Sequence, residues 1–193
     1  YAIPRSCIGD SRLKINLNII GEILNILTYA KKKHSVWLSI IGISWFWLIG
    51  MIFLTQLPCY TKDIIKGTEY VVTLFFVIFS VGIGIGSVLC NKLLEGQINV
   101  RLVPFGVLGI TIFMFDFYFA SISYAVTAMD YNVNYKYDSL IGVTKFLMFS
   151  FDSWRIIVDL FFIAICGGIY IVPLYAIMQH KSDNRYIARI VAA

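Results

Sequence analysis

Four stretches of this sequence, 37–57, 70–90, 102–124 and 156–178, are almost continuously apolar, and each is bounded by charged or turn-forming residues. Crossing the hydrocarbon of a bilayer takes about 20 such residues in a helix. A helix on the surface of a soluble domain would instead carry one apolar stripe and one polar face. In hydrocarbon the backbone must satisfy its own hydrogen bonds, which leaves helices or a closed barrel. Barrel strands alternate in polarity, and these runs do not. Composition agrees: hydrophobic residues make up 59% of the chain and charged residues 14%, against about 25% charged in soluble domains. The mean hydropathy is +0.80. The expected fold class is an all-α membrane protein with four transmembrane helices.

No strongly apolar run begins before about residue 36, too late for a signal peptide. The chain opens on Tyr1 rather than methionine, and a fifth apolar stretch is expected to begin at Ile190. It therefore reads as a piece of a longer protein or the product of an interrupted gene. An even number of crossings places both ends on one side. Of the 16 Lys and Arg residues, eleven (Arg5, Arg12, Lys14, Lys31, Lys32, Lys33, Lys92, Arg101, Lys181, Arg185, Arg189) fall on that side. Lys62, Lys66, Lys136, Lys145 and Arg155 fall on the other. The positive-inside rule assigns the larger set, and both termini, to the cytosol. Anionic lipid headgroups, not nucleic acid, are the partner expected for the net charge of +5. Cys7, Cys59, Cys90 and Cys166 have no metal-binding spacing, and His34 and His180 sit singly at span boundaries. Neither a metal nor a cofactor is expected.

The chain divides into a cytosolic linker, 1–36, and a bundle, 37–193. Within the linker, Leu13, Leu17, Ile20, Leu24 and Leu27 recur at steps of three and four, opposite Lys14, Asn18, Glu22 and Asn25. This pattern predicts an amphipathic helix over 13–30 lying in the membrane interface, held by Lys31-Lys32-Lys33. The first span opens at Trp37, carries Ser44-Trp45-Phe46-Trp47 and is expected to end at Pro58. In the second, Gly82 and Gly86 stand four apart, a small-xxx-small face for close helix packing. The glycine run has no phosphate-binding lysine in register, so a nucleotide site is excluded. A tight cytosolic turn, 91–97, leads to the third span. The outer loop, 125–153, includes a stretch (141–151) expected to rest on the membrane surface. Gly167, Gly168 and Pro173 permit a bend in the fourth span.

Ionisable residues inside hydrocarbon cost about 2.5–3.5 kcal/mol each on insertion scales, so each needs a reason. Asp116, set among Phe113, Met114, Phe115, Phe117 and Tyr118, is the leading candidate to bind a cationic substrate group or carry a proton. Its alternative role is a structural hydrogen bond to a neighbouring helix. Asp159 lies one turn into the fourth span and four residues after Arg155. It is a second candidate for substrate binding or proton coupling, with a purely structural pair with Arg155 along one helix face as the alternative. Gln56, Gln179, Tyr170 and Tyr175 are further candidate cavity liners. No enzyme is expected: neither His is followed five positions later by Asp, and the chain has no Gly-x-Ser-x-Gly elbow, zinc-binding His pair or P-loop.

Taken in order, these segments resemble the C-terminal half of a major facilitator superfamily transporter, with the four spans as helices seven to ten. The turn after the second span resembles the superfamily's G-x-x-x-D-R-x-G loop, with Ser87 for the glycine, Asn91 for the acid and Lys92 for the arginine. The closer resemblance is to the bacterial lysophospholipid transporter branch, over about residues 20–193. It is carried by 43–47 (ISWFW), 53–58 (FLTQLP), 81–87 (VGIGIGS), 102–106 (LVPFG), 168–175 (GIYIVPLY) and 189–193 (RIVAA). Members are often fused to an acyltransferase and an acyl-carrier-protein synthetase, and they move lysophosphatidylethanolamine across the inner membrane for re-acylation. The resemblance implies a gating role for Ser87, Asn91 and Lys92, a separate N-terminal half as partner, and pairing of an ethanolamine ammonium with Asp116. The alternatives are a proton-coupled drug or metabolite exporter of the same superfamily, and a non-transporting fragment or gene remnant.

Overall fold

The computed structural model describes residues 21, 27–28, 30–94, 100–130 and 140–182. Most of the expected amphipathic helix, the end of the 91–97 turn (95–97) and the expected fifth span lie outside them. Among the described residues the regular elements are all helical: α1 (His34–Asp63), α2 (Glu69–Leu93), α3 (Val103–Asp130, entered through a 3-10 turn at Val100–Leu102), α4 (Leu140–Phe149) and α5 (Phe151–Lys181). Helices α1, α2, α3 and α5 are each long and apolar enough to cross a bilayer. The protein is thus a multi-pass helical membrane protein.

These helices run past the apolar stretches that foretell them. α1 continues through Pro58 to Asp63. A proline removes one backbone donor and crowds the carbonyl four residues back. The turn beyond it still closes, with Thr61 Oγ1 donating to the Leu57 carbonyl (2.8 Å) and Ile64 N–H to the Tyr60 carbonyl (2.9 Å). The end of α1 is then capped by Gly67 N–H on the Thr61 carbonyl (3.0 Å). This six-residue return places Lys66 at a left-handed φ of 56°, a position more often filled by glycine. Acidic residues sit in the first turns of α2 (Glu69) and α5 (Asp152), and basic ones in their last turns (Lys92; His180 and Lys181), the signs that the helix dipole favours.

Hydroxyl groups on the exposed faces show how polar atoms survive beside hydrocarbon. Thr55, Thr73, Thr111 and Thr127 each donate to a backbone carbonyl four residues earlier, at 2.8–3.0 Å. No water is needed to satisfy them.

α5 is the axis of the bundle. Residues on every side of it are buried, from Ile156 and Leu160 through Ala164, Ile165 and Gly168 to Leu174 and Met178. α2 runs parallel to it at backbone distance. A Cβ added at Gly82 would lie 2.6 Å from the Ala164 Cβ and 2.9 Å from the Phe161 carbonyl oxygen, and one at Gly86 would overlap the Ile165 carbonyl. From the other side, a Cβ at Gly168 would meet the Ile83 carbonyl oxygen at 2.7 Å. Gly82/Gly86 and Ala164/Gly168 are thus small-xxx-small pairs facing each other. Gly84, between the first two, faces open space.

α3 runs antiparallel to α5. Gly106 packs on Tyr170 and Gly109 on Cys166, and Phe113 stacks on Phe162 with ring centroids 4.8 Å apart. α1 is also antiparallel to α5, with Gly42 against Tyr170 and Leu174. At their shared end, Lys181 Nζ donates to Ser35 Oγ (3.1 Å). Pro173 leaves the Ile169 carbonyl without its helical N–H donor, and the Cys90 thiol of α2 approaches that oxygen at 3.8 Å.

The apolar core forms two clusters along this axis. One, near the α1–α2 turn, joins Leu57, Ile65, Phe75, Tyr124, Phe146, Ile156 and Leu160. α4 belongs to it: Phe146 is fully buried against Phe75 and Tyr124. The other, at the opposite end, joins Val36, Ile43, Ile171, Leu174 and Met178.

The three glycines of α2 give a sharp contrast to measure. Gly86→Ala should destabilise the bundle by about 1–3 kcal/mol, because backbone atoms of Ile165 must move. Gly84→Ala should be neutral, or stabilising by up to about 1 kcal/mol from helix propensity. Thermal unfolding of the two variants in one detergent provides the comparison.

Candidate functional site

Two features interrupt the apolar packing. The first is a charged cluster between α3 and α5. Asp152, Arg155 and Asp159 follow one face of α5 at steps of three and four, and Asp116 meets them from α3. Arg155 Nη2 donates to Asp116 Oδ1 at 2.5 Å, and Nη1 lies 3.5 Å from Asp152 Oδ1. The side chains of Arg155 and Asp116 are 33% and 44% exposed, so this pair is reachable from the bundle surface. Asp159 lies beneath it at 3% exposure. Its carboxyl group comes within hydrogen-bonding reach of Asp116 and feels the charge of Arg155. Its Oδ2 is buried with no hydrogen-bond partner.

Arg155 therefore crosses to α3 rather than pairing along its own helix with Asp159, as their spacing alone suggests. The i, i+4 rule describes a preference of a few tenths of a kcal/mol on an isolated helix. A second helix carrying an anion in hydrocarbon outweighs it, because each unpaired charge there costs about 2.5–3.5 kcal/mol. The guanidinium pairs with Asp116 and Asp152, and Asp159 stands behind them without a direct ion pair to it.

Depth follows from the register. Asp116 is central in α3, but α3 overruns its neighbours at the α4 end. Opposite it, Asp159 lies seven residues from the midpoint of α5, Phe151–Lys181. That is about 10 Å at a rise of about 1.5 Å per residue. The cluster thus sits between the middle of the bundle and its α4 end.

The second feature is a cleft of about 270 Å³ between α1, α3 and α5. It occupies the gap between the two core clusters, at the midpoint of α5. Trp45, Phe46, Ile49, Gly50 and Phe53 line it from α1, and Val107, Ile110, Thr111 and Met114 from α3. Ile163, Gly167 and Tyr170 form its α5 wall, and Phe79 of α2 completes it. Its lining is aromatic and aliphatic, with the Tyr170 and Thr111 hydroxyls already committed. Tyr170 donates to the Gly42 carbonyl (3.1 Å) and Thr111 to Val107 (2.9 Å). Asp159 lies one turn before Ile163, on the same face of α5.

The residues singled out from sequence thus fall into separate places. Asp116 and Asp159 come together. Tyr170 belongs to the cleft, while Gln56 is exposed on α1 one turn beyond Phe53. Ser87 is half-buried against Gly168 and donates to the Ile83 carbonyl (2.8 Å). Asn91 and Lys92 are exposed on the last turn of α2. Gly82 and Gly86 form the α2–α5 contact. Arg155 as the partner of Asp116, and the cleft itself, are additions. The alternation Asp152, Arg155, Asp159 on one helix face is the sequence signal that points to the former.

No family model, curated protein or solved structure matches this chain. What the protein does must be argued from the helical membrane bundle, its charged cluster and its cleft.

If the cluster is one electrostatic unit, its members are non-additive. Arg155→Met, which strands the carboxylates in hydrocarbon, should destabilise the bundle by about 1–3 kcal/mol. Adding Asp116→Asn to that variant should recover part of the loss. A double-mutant cycle on thermal unfolding in lipid nanodiscs reads the coupling, and additive effects would show that the pair is incidental.

Proposed function

We propose that this chain is part of a major facilitator superfamily transporter, equivalent to helices seven to ten, that moves lysophospholipids across a bacterial inner membrane. The carrying observation is a charged cluster inside helices of bilayer length. Ionisable groups at such positions are expensive and mark substrate or ion pathways. A mid-depth apolar cleft bordered by the same face of α5 supports the reading, since transporters place substrate near the midplane. A lysophospholipid combines one acyl chain with a charged headgroup. The cleft offers aromatic and aliphatic walls to the chain, and Asp116, Asp159 and Arg155 offer charges to the headgroup. Transport requires an N-terminal half to rock against this one, so that half is the proposed partner. Lys31, Lys32, Lys33, Lys92, Arg101 and Lys181 gather at the end of the bundle away from α4, which supports a cytosolic placement of that end and of both termini.

Gly50 supplies a clean test, because a Cβ there meets nothing within 4 Å. Gly50→Leu adds a side chain to the cleft lining from a Cβ that touches no neighbour. A lysophospholipid carrying a photoreactive diazirine in its acyl chain should cross-link to the chain in membrane vesicles at cleft residues such as Trp45 or Met114. Unlabelled lysophospholipid should compete, and Gly50→Leu should reduce labelling at least severalfold. Competition by cationic dyes but not by lysophospholipid would replace this reading with the drug-exporter alternative.

A further inference from the structure

We propose that the elbow between α4 and α5 is a seat for one phospholipid of the leaflet at that end of the bundle, with its phosphate at Lys145 and an acyl chain along the exposed flank of α5. The seat requires a bilayer around the bundle but no particular transported substrate.

α4 has ten residues, about 15 Å, half of what a crossing needs. A helix lying on headgroups turns its apolar face down to lipid. α4 gives that face to the bundle instead, where Phe146 is fully buried against Phe75 and Tyr124. Its other face still carries Ile141 and Met148, beside Thr144 and Lys145. Ser150 then breaks the helix with an extended backbone (φ −151°, ψ 162°), and α5 starts at Phe151. Met148 and Phe151, on either side of the break, are 88% and 79% exposed, the most of any large apolar side chain among the described residues. Between them lies a hollow of about 720 Å³, lined also by Thr144, Leu147 and Trp154.

Depth and length decide what fills it. Counted from the midpoint of α5, Phe151–Lys181, Trp154 lies about 18 Å out and Phe151 about 22 Å. The hydrocarbon ends about 15 Å from the bilayer centre and the headgroups about 20–22 Å. The elbow is therefore in the headgroup layer, where tryptophan collects. Phe151, Trp154, Val158 and Phe162 recur at steps of three and four, and all are exposed. This track runs about 16 Å from the elbow toward the midplane, the depth of one leaflet's hydrocarbon. Its lower part, Val158 and Phe162, belongs to the bilayer-facing surface, so the hollow is continuous with lipid. Lys145 lies on the exposed face of α4, and its flexible stem lets the ammonium reach a phosphate at that level.

Trp154 borders the hollow and is the reporter, with the other three tryptophans, Trp37, Trp45 and Trp47, changed to Phe. The whole chain is placed in phosphatidylcholine nanodiscs with small fractions of phosphatidylglycerol or of diacylglycerol carrying the same brominated chains. Phosphatidylglycerol should reach half-maximal quenching at a mole fraction about fivefold lower, the effect of one lysine at a membrane surface. Lys145→Gln should erase that difference, and Lys145→Arg should keep it. Met148→Gln, at a side chain with little contact to the bundle, should weaken quenching by both lipids. Equal quenching by the two lipids in the parent chain would overturn the seat and leave ordinary boundary lipid. A preference that persists in Lys145→Gln would overturn the assignment of the phosphate to that residue. Quenching of Trp154 by aqueous acrylamide but by neither lipid would overturn the depth. Trp154 shielded from all three, with two copies cross-linked through Met148→Cys in a cysteine-free background, would overturn the lipid in favour of a second copy of the chain.

Discussion

The backbone contact between α2 and α5 is the constraint on which the rest of this bundle depends. Gly82 and Gly86 let α2 approach until it touches the Ile165 carbonyl, and Ala164 and Gly168 return the same closeness. Hydrocarbon offers no hydrophobic drive between helices, so such dispersion contacts and a few polar bonds must hold them. With one side of α5 pinned in this way, its opposite side is fixed in direction. That side presents Asp159, Ile163, Gly167 and Tyr170 toward α1 and α3. The charged cluster and the cleft are both consequences of which face α2 covers.

The same lack of water dictates how many of the polar atoms are handled. Exposed threonines turn back on their own helices. The Ile169 carbonyl, deprived of a donor by Pro173, meets the Cys90 thiol. The Tyr60 hydroxyl pairs with Ser121 at 2.7 Å, and Tyr124 donates to the Ile65 carbonyl at 3.2 Å, tying α3 to the α1–α2 turn. Against this background of satisfied groups, the carboxyl-rich cluster around Arg155 stands out. Structure alone does not require it, since apolar side chains would fill the α3–α5 seam at lower cost.

Much of the architecture is legible in the sequence because hydrophobic length is a local property. The four spans, the close-packing role of Gly82 and Gly86, and the exceptional position of Asp116 all follow from residues near one another in the chain. Helix ends are less legible. Pro58 suggests a stop, but one lost hydrogen bond is a small perturbation to α1 when Thr61, Ile64 and Gly67 close the following turns. Long-range register is not legible. That Arg155 reaches Asp116 instead of Asp159 depends on the antiparallel alignment of α3 and α5, which glycines at 106 and 109 and the Phe113–Phe162 stack set together. The cleft arises for a similar reason: it is a gap between two cores, and sequence reports the side chains that fill space, not the space they leave.

The central claim is that charged groups lie within the hydrocarbon about 10 Å from the bundle midpoint. Val158, beside Asp159 and 43% exposed, is the position from which to measure it. A spin label at Val158→Cys, in a cysteine-free background in lipid nanodiscs, reports depth through its relative collision rates with oxygen and a nickel chelate. Oxygen collisions dominating, at a depth well inside the headgroups, are the result expected. Collisions dominated by the nickel chelate, as for a label in water, would contradict the account.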